Sequence, residues 1–150
     1  MKYILPIICL LFMTTSPAED IPAEVDESML QSVERKVECL AKNMYFEARG
    51  EGSTGLLAVA HVTLNRTKSA KYPDKVCDVV YQKYQFSWTR TQYRITNVDL
   101  FDRIRAMARD VIMGRTSDPT RGATNFHHKS INPGWNCKPT VTIRNHVFCR

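Results

Sequence analysis

The run Phe46-Glu47-Ala48-Arg49-Gly50-Glu51-Gly52 holds the last two glutamates of the chain; all others lie at or before position 38. At 100° per residue Val33, Val37, Leu40 and Met44 share one side of a helix, and Glu47 continues their row. A carboxyl on that row is carried toward an apolar interior. Loss of water disfavours its charged form, so it keeps its proton to higher pH and can donate near neutrality. That is what a general acid requires, and Glu47 is the candidate. The competing reading is a helix-end glutamate that reaches solvent or pairs with Arg49 or Lys42. Glu51 sits four residues on and would face a substrate from the same side. It is expected to order the Gly50–Gly52 turn or to bond a backbone amide, with substrate contact as the alternative. A second candidate chemistry is a zinc site drawn from His127, His128 and His146 with an acid, although satisfied structural histidines are the default.

The elements that must position these groups are mostly helical. The first helix is expected over 28 to about 48, capped by Ser28 or Ser32. A second, capped by Ser53-Thr54, runs from Gly55 to Arg66, and its apolar residues surround the axis, as in a central buried helix. Pro73-Asp74 opens a short third helix through Val76, Val79 and Val80. A fourth spans about Asp99 to Met113, with Leu100, Ile104, Met107 and Val111 in one row and Gly114 as its stop. Beyond it Pro119, Gly122, Pro133, Gly134 and Pro139 break the chain, and Val141 to Ile143 alternates like a strand. The expected fold class is α+β, mainly α: a small helical domain with an irregular, partly β C-terminal lobe. A groove between the lobes would suit an extended substrate.

The chain has 150 residues, 43% of them hydrophobic, which suits one domain with a real core. Residues 1–18 differ in kind. Lys2, an apolar run from Ile4 to Met13 and the small residues Ser16 and Ala18 make a signal peptide, cut before Glu19, or failing cleavage a membrane tether. The apolar run falls short of the roughly 20 residues of a spanning helix. Removing Cys9 with it leaves Cys39, Cys77, Cys137 and Cys149. Export permits two disulfides, for which Cys39 with Cys77 and Cys137 with Cys149 is the favoured one of three connectivities. Reduced core cysteines are the alternative, and the spacings do not suit a structural zinc site. No cofactor or metal is expected.

Charge is uneven. Residues 19–38 carry seven acids against two bases, net −5, whereas residues 39–150 carry eight acids against eighteen bases, net +10. A basic exported body is drawn to the anionic cell envelope, which argues against nucleic acid as partner. Contact with membrane would be transient, through the signal segment, and the protein is expected to be a secreted or periplasmic monomer.

Several ordered motifs carry a family resemblance. They are Ala41 to Glu51, Gly55 to Arg66, Pro73 to Gln82, Gln85-Phe86-Ser87-Trp88, Gly122-Ala-Thr124-Asn-Phe126-His127, Pro133-Gly-Trp135 and His146-Val-Phe148. Together they resemble the SleB-type cell wall hydrolases, over about residues 39–150. The resemblance implies a lysozyme-like catalytic domain that cleaves peptidoglycan between N-acetylmuramic acid and N-acetylglucosamine, with one essential glutamate at the position of Glu47. Spore-type members are lytic transglycosylases, in which the muramic 6-hydroxyl attacks in place of water. A hydrolytic muramidase needs two carboxyls on opposite sides of the bond, about 5 Å or about 6.5–9.5 Å apart. Glu47 and Glu51 make a poor pair of that kind, and Asp78, Asp99 or Asp118 would have to serve. Substrate contacts are expected from Glu51, Tyr45, Gln85, Phe86, Ser87, Trp88, Thr124, Phe126 and His127, with Trp135 a further stacking face. A zinc amidase and a non-catalytic envelope-binding module are the remaining alternatives. The chain departs from the family pattern at Asn125 and at Cys149, which replaces the aromatic that follows His-x-Phe.

Overall fold

A computed structural model describes residues 26–91 and 93–150; the signal-type segment and residues 19–25 of the acidic lead-in lie outside the described residues. Helix α1 spans Glu27–Ala48. Its cap is Asp26, not Ser28 or Ser32: the Asp26 carboxylate accepts from the Ser28 amide at 3.0 Å, satisfying a first-turn donor. The expected row is present, with Val37, Leu40 and Met44 fully buried and Val33 partly so.

Helix α2 (Gly52–Thr67) starts almost at once, because Gly52 adopts φ 68, a left-handed conformation that costs glycine little and lets the chain reverse within three residues. The helix therefore begins ahead of Ser53-Thr54. Its N-cap residue is Glu51, whose side chain does not cap the helix. Apolar residues do surround the α2 axis, but His61, Thr63 and Arg66 are buried among them.

Helix α3 is Val76–Val80, and α4 is Val98–Ile112, capped by Asn97, which accepts from the Leu100 amide at 2.9 Å. On α4 the buried face is Phe101, Ile104, Ala108 and Val111, with Leu100 and Met107 at its margin. The faces of α1, α2 and α4 meet in the main core. Glu34 and Glu38 of the acidic lead-in lie on α1 and pair with Arg109 and Arg105 of α4, at 2.6 and 3.3 Å. These pairs are solvent-exposed and add little stability, but they account for part of the acidic bias.

The C-terminal part forms a three-stranded antiparallel sheet in the order β1-β3-β2: β1 Asn125–His128, β2 Pro139–Ile143 and β3 His146–Cys149. Only β2 is legible locally; β1 and β3 become strands by pairing with each other, Phe126 opposite Phe148 and His128 opposite His146. Phe148 then packs with Ala58, Val62 and Ala123, so the sheet closes over the far side of α2. Two consecutive α2 side chains fasten it: Asn65 donates to the Ala123 carbonyl at 2.9 Å, and Arg66 Nε donates to the Thr124 carbonyl at 2.6 Å.

Both favoured disulfides are formed. Cys39–Cys77 ties α1 to α3 with Cα atoms 5.3 Å apart, and Cys137–Cys149 ties the segment ahead of β2 to the end of β3, with Cα atoms 5.4 Å apart. In the chain-entropy account they contribute about 4 and about 3 kcal/mol.

Candidate active site

Glu47 occupies the last turn of α1, its side chain half-buried. Burial pushes its pKa up to about 7, and the field of Arg66 on α2 acts against that rise. It lines a cavity of about 170 Å³ together with Phe46, Arg49, Ser87, Trp88 and Tyr93. A neighbouring cavity of about 240 Å³ shares Phe46, Trp88 and Tyr93 and continues along Tyr81, Thr89, Thr91 and Ile95. The walls beside the carboxyl are thus aromatic.

The segment around Trp88 is a short 3-10 turn, Ser87–Arg90. It alternates inward and outward: Phe86 and Trp88 are 4% and 8% exposed, while Gln85 and Ser87 face solvent. Trp88 stacks on Phe46, centroids 4.9 Å apart at 27°, which fixes one edge of the cavity. Phe86 packs with Val80 and offers no free ring face, so the stacking role expected of it is not available. Tyr45 is likewise corrected. At 1% exposure it is a core residue, and its hydroxyl accepts from the amides of Thr96 and Asn97 at 3.3 and 3.2 Å. The exposed aromatics that do line the cavities, Tyr81 and Tyr93, were not expected, since an isolated tyrosine in a loop carries no local signal.

Glu51 lies on the other side of the α1–α2 junction. Its carboxylate accepts from the Asn145 backbone amide at 3.0 Å and from the Asn145 side chain at 3.2 Å, and these bonds hold its pKa below the usual carboxylate range. It binds a backbone amide as expected, though of the β2–β3 turn and not of its own glycine turn. A polar depression of about 380 Å³ opens there between Gly50, Glu51, Lys129, Arg144 and Asn145. The surface between helices and sheet therefore flanks Glu51, while the Glu47 cavity is formed within the helical part, by the end of α1 with Ser87, Trp88 and Tyr93.

Of the three residues expected in the site from β1 and the position before it, Phe126 reaches the helices, packing against all three cores. His127 is its neighbour along the strand, so its side chain projects from the opposite face. There it meets Trp135, centroids 6.1 Å apart, and lies away from the helical core. Thr124 is committed to structure: its amide donates to Cys149, its carbonyl accepts from Arg66, and its hydroxyl accepts from Asn125.

The three histidines do not assemble into a metal site. Among the described residues, the one group of His, Cys, Asp and Glu donors close enough to share an ion is His127, Cys137 and Cys149, and its two sulfurs are bonded to each other. Asp118, a proposed second carboxylate, is consumed by its own loop, accepting from the amides of Thr120 and Gly122 and from Asn65. Asp78 lines a separate cleft with Arg35, Lys36 and Lys75, and Asp99 lies in the first turn of α4.

Fold and site together define a small, mainly helical α+β domain built around one proton-holding carboxyl. The chain belongs to the cell wall hydrolase family, whose model matches residues 50–149 and so covers Glu51 but begins just past Glu47. It is similar to the spore cortex-lytic enzyme of Halalkalibacterium halodurans, with 31% identity over 135 residues, covering 88% of this chain and 38% of that one. A second spore cortex-lytic enzyme, from Oceanobacillus iheyensis, is 33% identical over 117 residues, 76% of this chain and 41% of the relative. The chain thus spans about two fifths of the length of the curated relatives it matches. Among solved structures, the catalytic domain of the Bacillus cereus SleB protein matches with TM-score 0.64 and 26% identity, over 78% of this chain and 91% of that one. The catalytic domain of the germination-specific lytic transglycosylase SleB from Bacillus anthracis matches with TM-score 0.63 and 27% identity, over 77% and 93%.

Proposed function

We propose that this domain cuts the glycan strands of peptidoglycan between N-acetylmuramic acid and N-acetylglucosamine as a lytic transglycosylase, with Glu47 as its acid and base. The observation that carries the reading is the solitary half-buried carboxyl at an aromatic cavity, its pKa raised to about 7. In the first step the Glu47 carboxyl gives its proton to the glycosidic oxygen, and the bond from that oxygen to the anomeric carbon breaks. The muramic 6-hydroxyl then bonds to the anomeric carbon and returns its proton to the Glu47 carboxylate. The glycan ends in a 1,6-anhydro sugar and Glu47 is restored.

A second carboxylate is what hydrolysis by a flanking pair would need. Among the described residues, Glu47 is the one acid that lines the two aromatic cavities. The likeness to a solved lytic transglycosylase domain supports the same choice. Tyr93, Tyr81 and the edge of Trp88 are suited to the apolar faces of sugar rings, and Ser87 to their hydroxyls. A secreted or periplasmic location follows from the same reading, with peptidoglycan as the partner.

The test is to digest purified peptidoglycan and weigh the disaccharide products. Products lighter than the reducing disaccharide by one water support transglycosylation. Reducing-end products make the domain a hydrolytic muramidase, and release of intact stem peptides makes it an amidase.

A further inference from the structure

Arg66 is a charged residue in the wrong place for a surface role. It is 5% exposed, on the central helix. Its Nε donates to the Thr124 carbonyl, and its guanidinium lies over the rings of Tyr72 and Phe86, 5.0 and 5.6 Å from their centroids. Nη1 is buried and has no partner. No carboxylate of the described residues lies within ion-pairing distance of it. A guanidinium taken out of water without a counter-ion is expensive, several kcal/mol after relaxation, on the order of magnitude general for buried ions. A fold that needed only to fasten Thr124 could use a neutral donor.

The charges around Glu47 narrow what the cation serves. From α1 itself comes Arg49, which lies over Tyr45, 5.1 Å from its centroid. The stretch ahead of α4 contributes Tyr93, and Tyr72 after α2 faces Arg66. From the sheet, His128 and His146 act on Glu51. Arg66 and Glu47 act on each other, each favouring the other's charged state. Phe86, under the guanidinium, packs with Trp88, which shares the cavity of Glu47.

We propose that Arg66 is a positioning residue for the reaction: the fixed counter-charge against which Glu47 carries its negative charge between giving and regaining the proton. This rests on the reading of Glu47 as acid and base. Burial alone would keep Glu47 protonated and make it a reluctant donor. The interior cation offsets that penalty only after the proton has left, because it interacts with the carboxylate and hardly with the neutral acid.

The test is a titration of the Glu47 side-chain carboxyl by carbon-13 NMR in the free enzyme, comparing Arg66→Gln with Arg66→Lys. In the Gln variant the midpoint should rise by about one pH unit, and kcat should fall about tenfold with KM within about twofold. The Lys variant should stay close to the parent on both counts. A folded Gln variant with an unmoved midpoint overturns the proposal. If Gln at 66 prevents folding, the parent protein still decides. The Arg66 Nε–H resonance must show an inflection at the midpoint of the Glu47 carboxyl, and a flat Nε–H trace overturns it. The carboxyl midpoint and the Nε–H trace need no substrate, so they stand or fall separately from the product masses that test the transglycosylase reading.

Discussion

Glu51 holds both amides of Asn145, the backbone N–H at 3.0 Å and the side chain at 3.2 Å, so the turn between β2 and β3 is bound to the junction that follows Glu47. The pairing spans 94 positions of sequence and joins the helical and sheet parts at one carboxylate. Because these bonds favour its charged form, Glu51 contributes stability that is present above the unfolded carboxylate range and is lost as pH falls through its lower folded value. Glu51→Gln should therefore destabilise the fold at pH 7 by about 1–2 kcal/mol, with a smaller difference at pH 3. Thermal melts at the two pH values check this, and glycan cleavage should survive at reduced level.

Glu47→Gln should abolish cleavage. It should also stabilise the protein in alkali. Glu47's folded pKa, about 7, lies above the ordinary glutamate value of 4.5, so its protonated form is favoured by folding. That stabilisation is complete below the unfolded value, fades as pH rises between the two, and is gone above the folded one. The uncharged Gln variant escapes the loss. At pH 8 it should exceed the parent by up to about 3 kcal/mol, and at pH 4 the two should nearly coincide. Denaturant unfolding across that range gives the answer; equal stabilities at pH 8 would place Glu47 in water.

The same midpoint governs activity. The proton that Glu47 donates must be present in the free enzyme, so kcat/KM should fall about tenfold per pH unit above about pH 7. A profile flat to pH 9 rules out Glu47 as the donor.

How far the sequence foretold the site depends on what kind of pattern each residue belongs to. Glu47 was legible because it continues an apolar row on α1, and a row is a property of neighbours in sequence. That two disulfides form was legible from count and compartment, but which cysteine meets which was a choice among three until the fold brought Cys39 to Cys77 and Cys137 to Cys149. Arg66 was not: arginine at the end of a helix reads as a solvated end, and its burial is made by Tyr72, Phe86 and Thr124, which arrive from three later segments. Its one local signal is that it closes a helix otherwise apolar all round. The motif at 85–88 was legible, but not that Phe86 is withdrawn into the core while Ser87 and Trp88 line the cavity, since that depends on Val80 and Phe46. Strands β1 and β3, four residues each, are too short to show their period, so the sequence does not reveal that His127 projects from the far face.

Tyr93→Ala should weaken glycan binding about three- to tenfold, through loss of one stacking face, with little change in melting temperature because its ring is 60% exposed. Phe86→Ala should do the reverse, costing about 3–5 kcal/mol of stability through the cavity it leaves. Binding isotherms with glycan fragments and melts of the two variants separate them.

Reducing the Cys39–Cys77 bond, or replacing both residues by serine, frees α3 from α1 and should cost about 2–5 kcal/mol. Cleavage at low temperature should persist, since neither sulfur lines the Glu47 cavity. Loss of cleavage at temperatures where the reduced protein remains folded contradicts this.

Tyr45 binds the amides of Thr96 and Asn97, and Glu47 follows it by two positions on the same helix. The strap that carries Tyr93 is therefore indexed to the screw of α1, and the gap between acid and strap is set by helical pitch. Substitutions in this turn that keep the Tyr45 hydroxyl leave that spacing intact. Inserting a single residue between 45 and 47 would swing the acid by about 100° around the axis while the strap stayed behind. In this turn the count of residues from Tyr45 to Glu47 aims the proton.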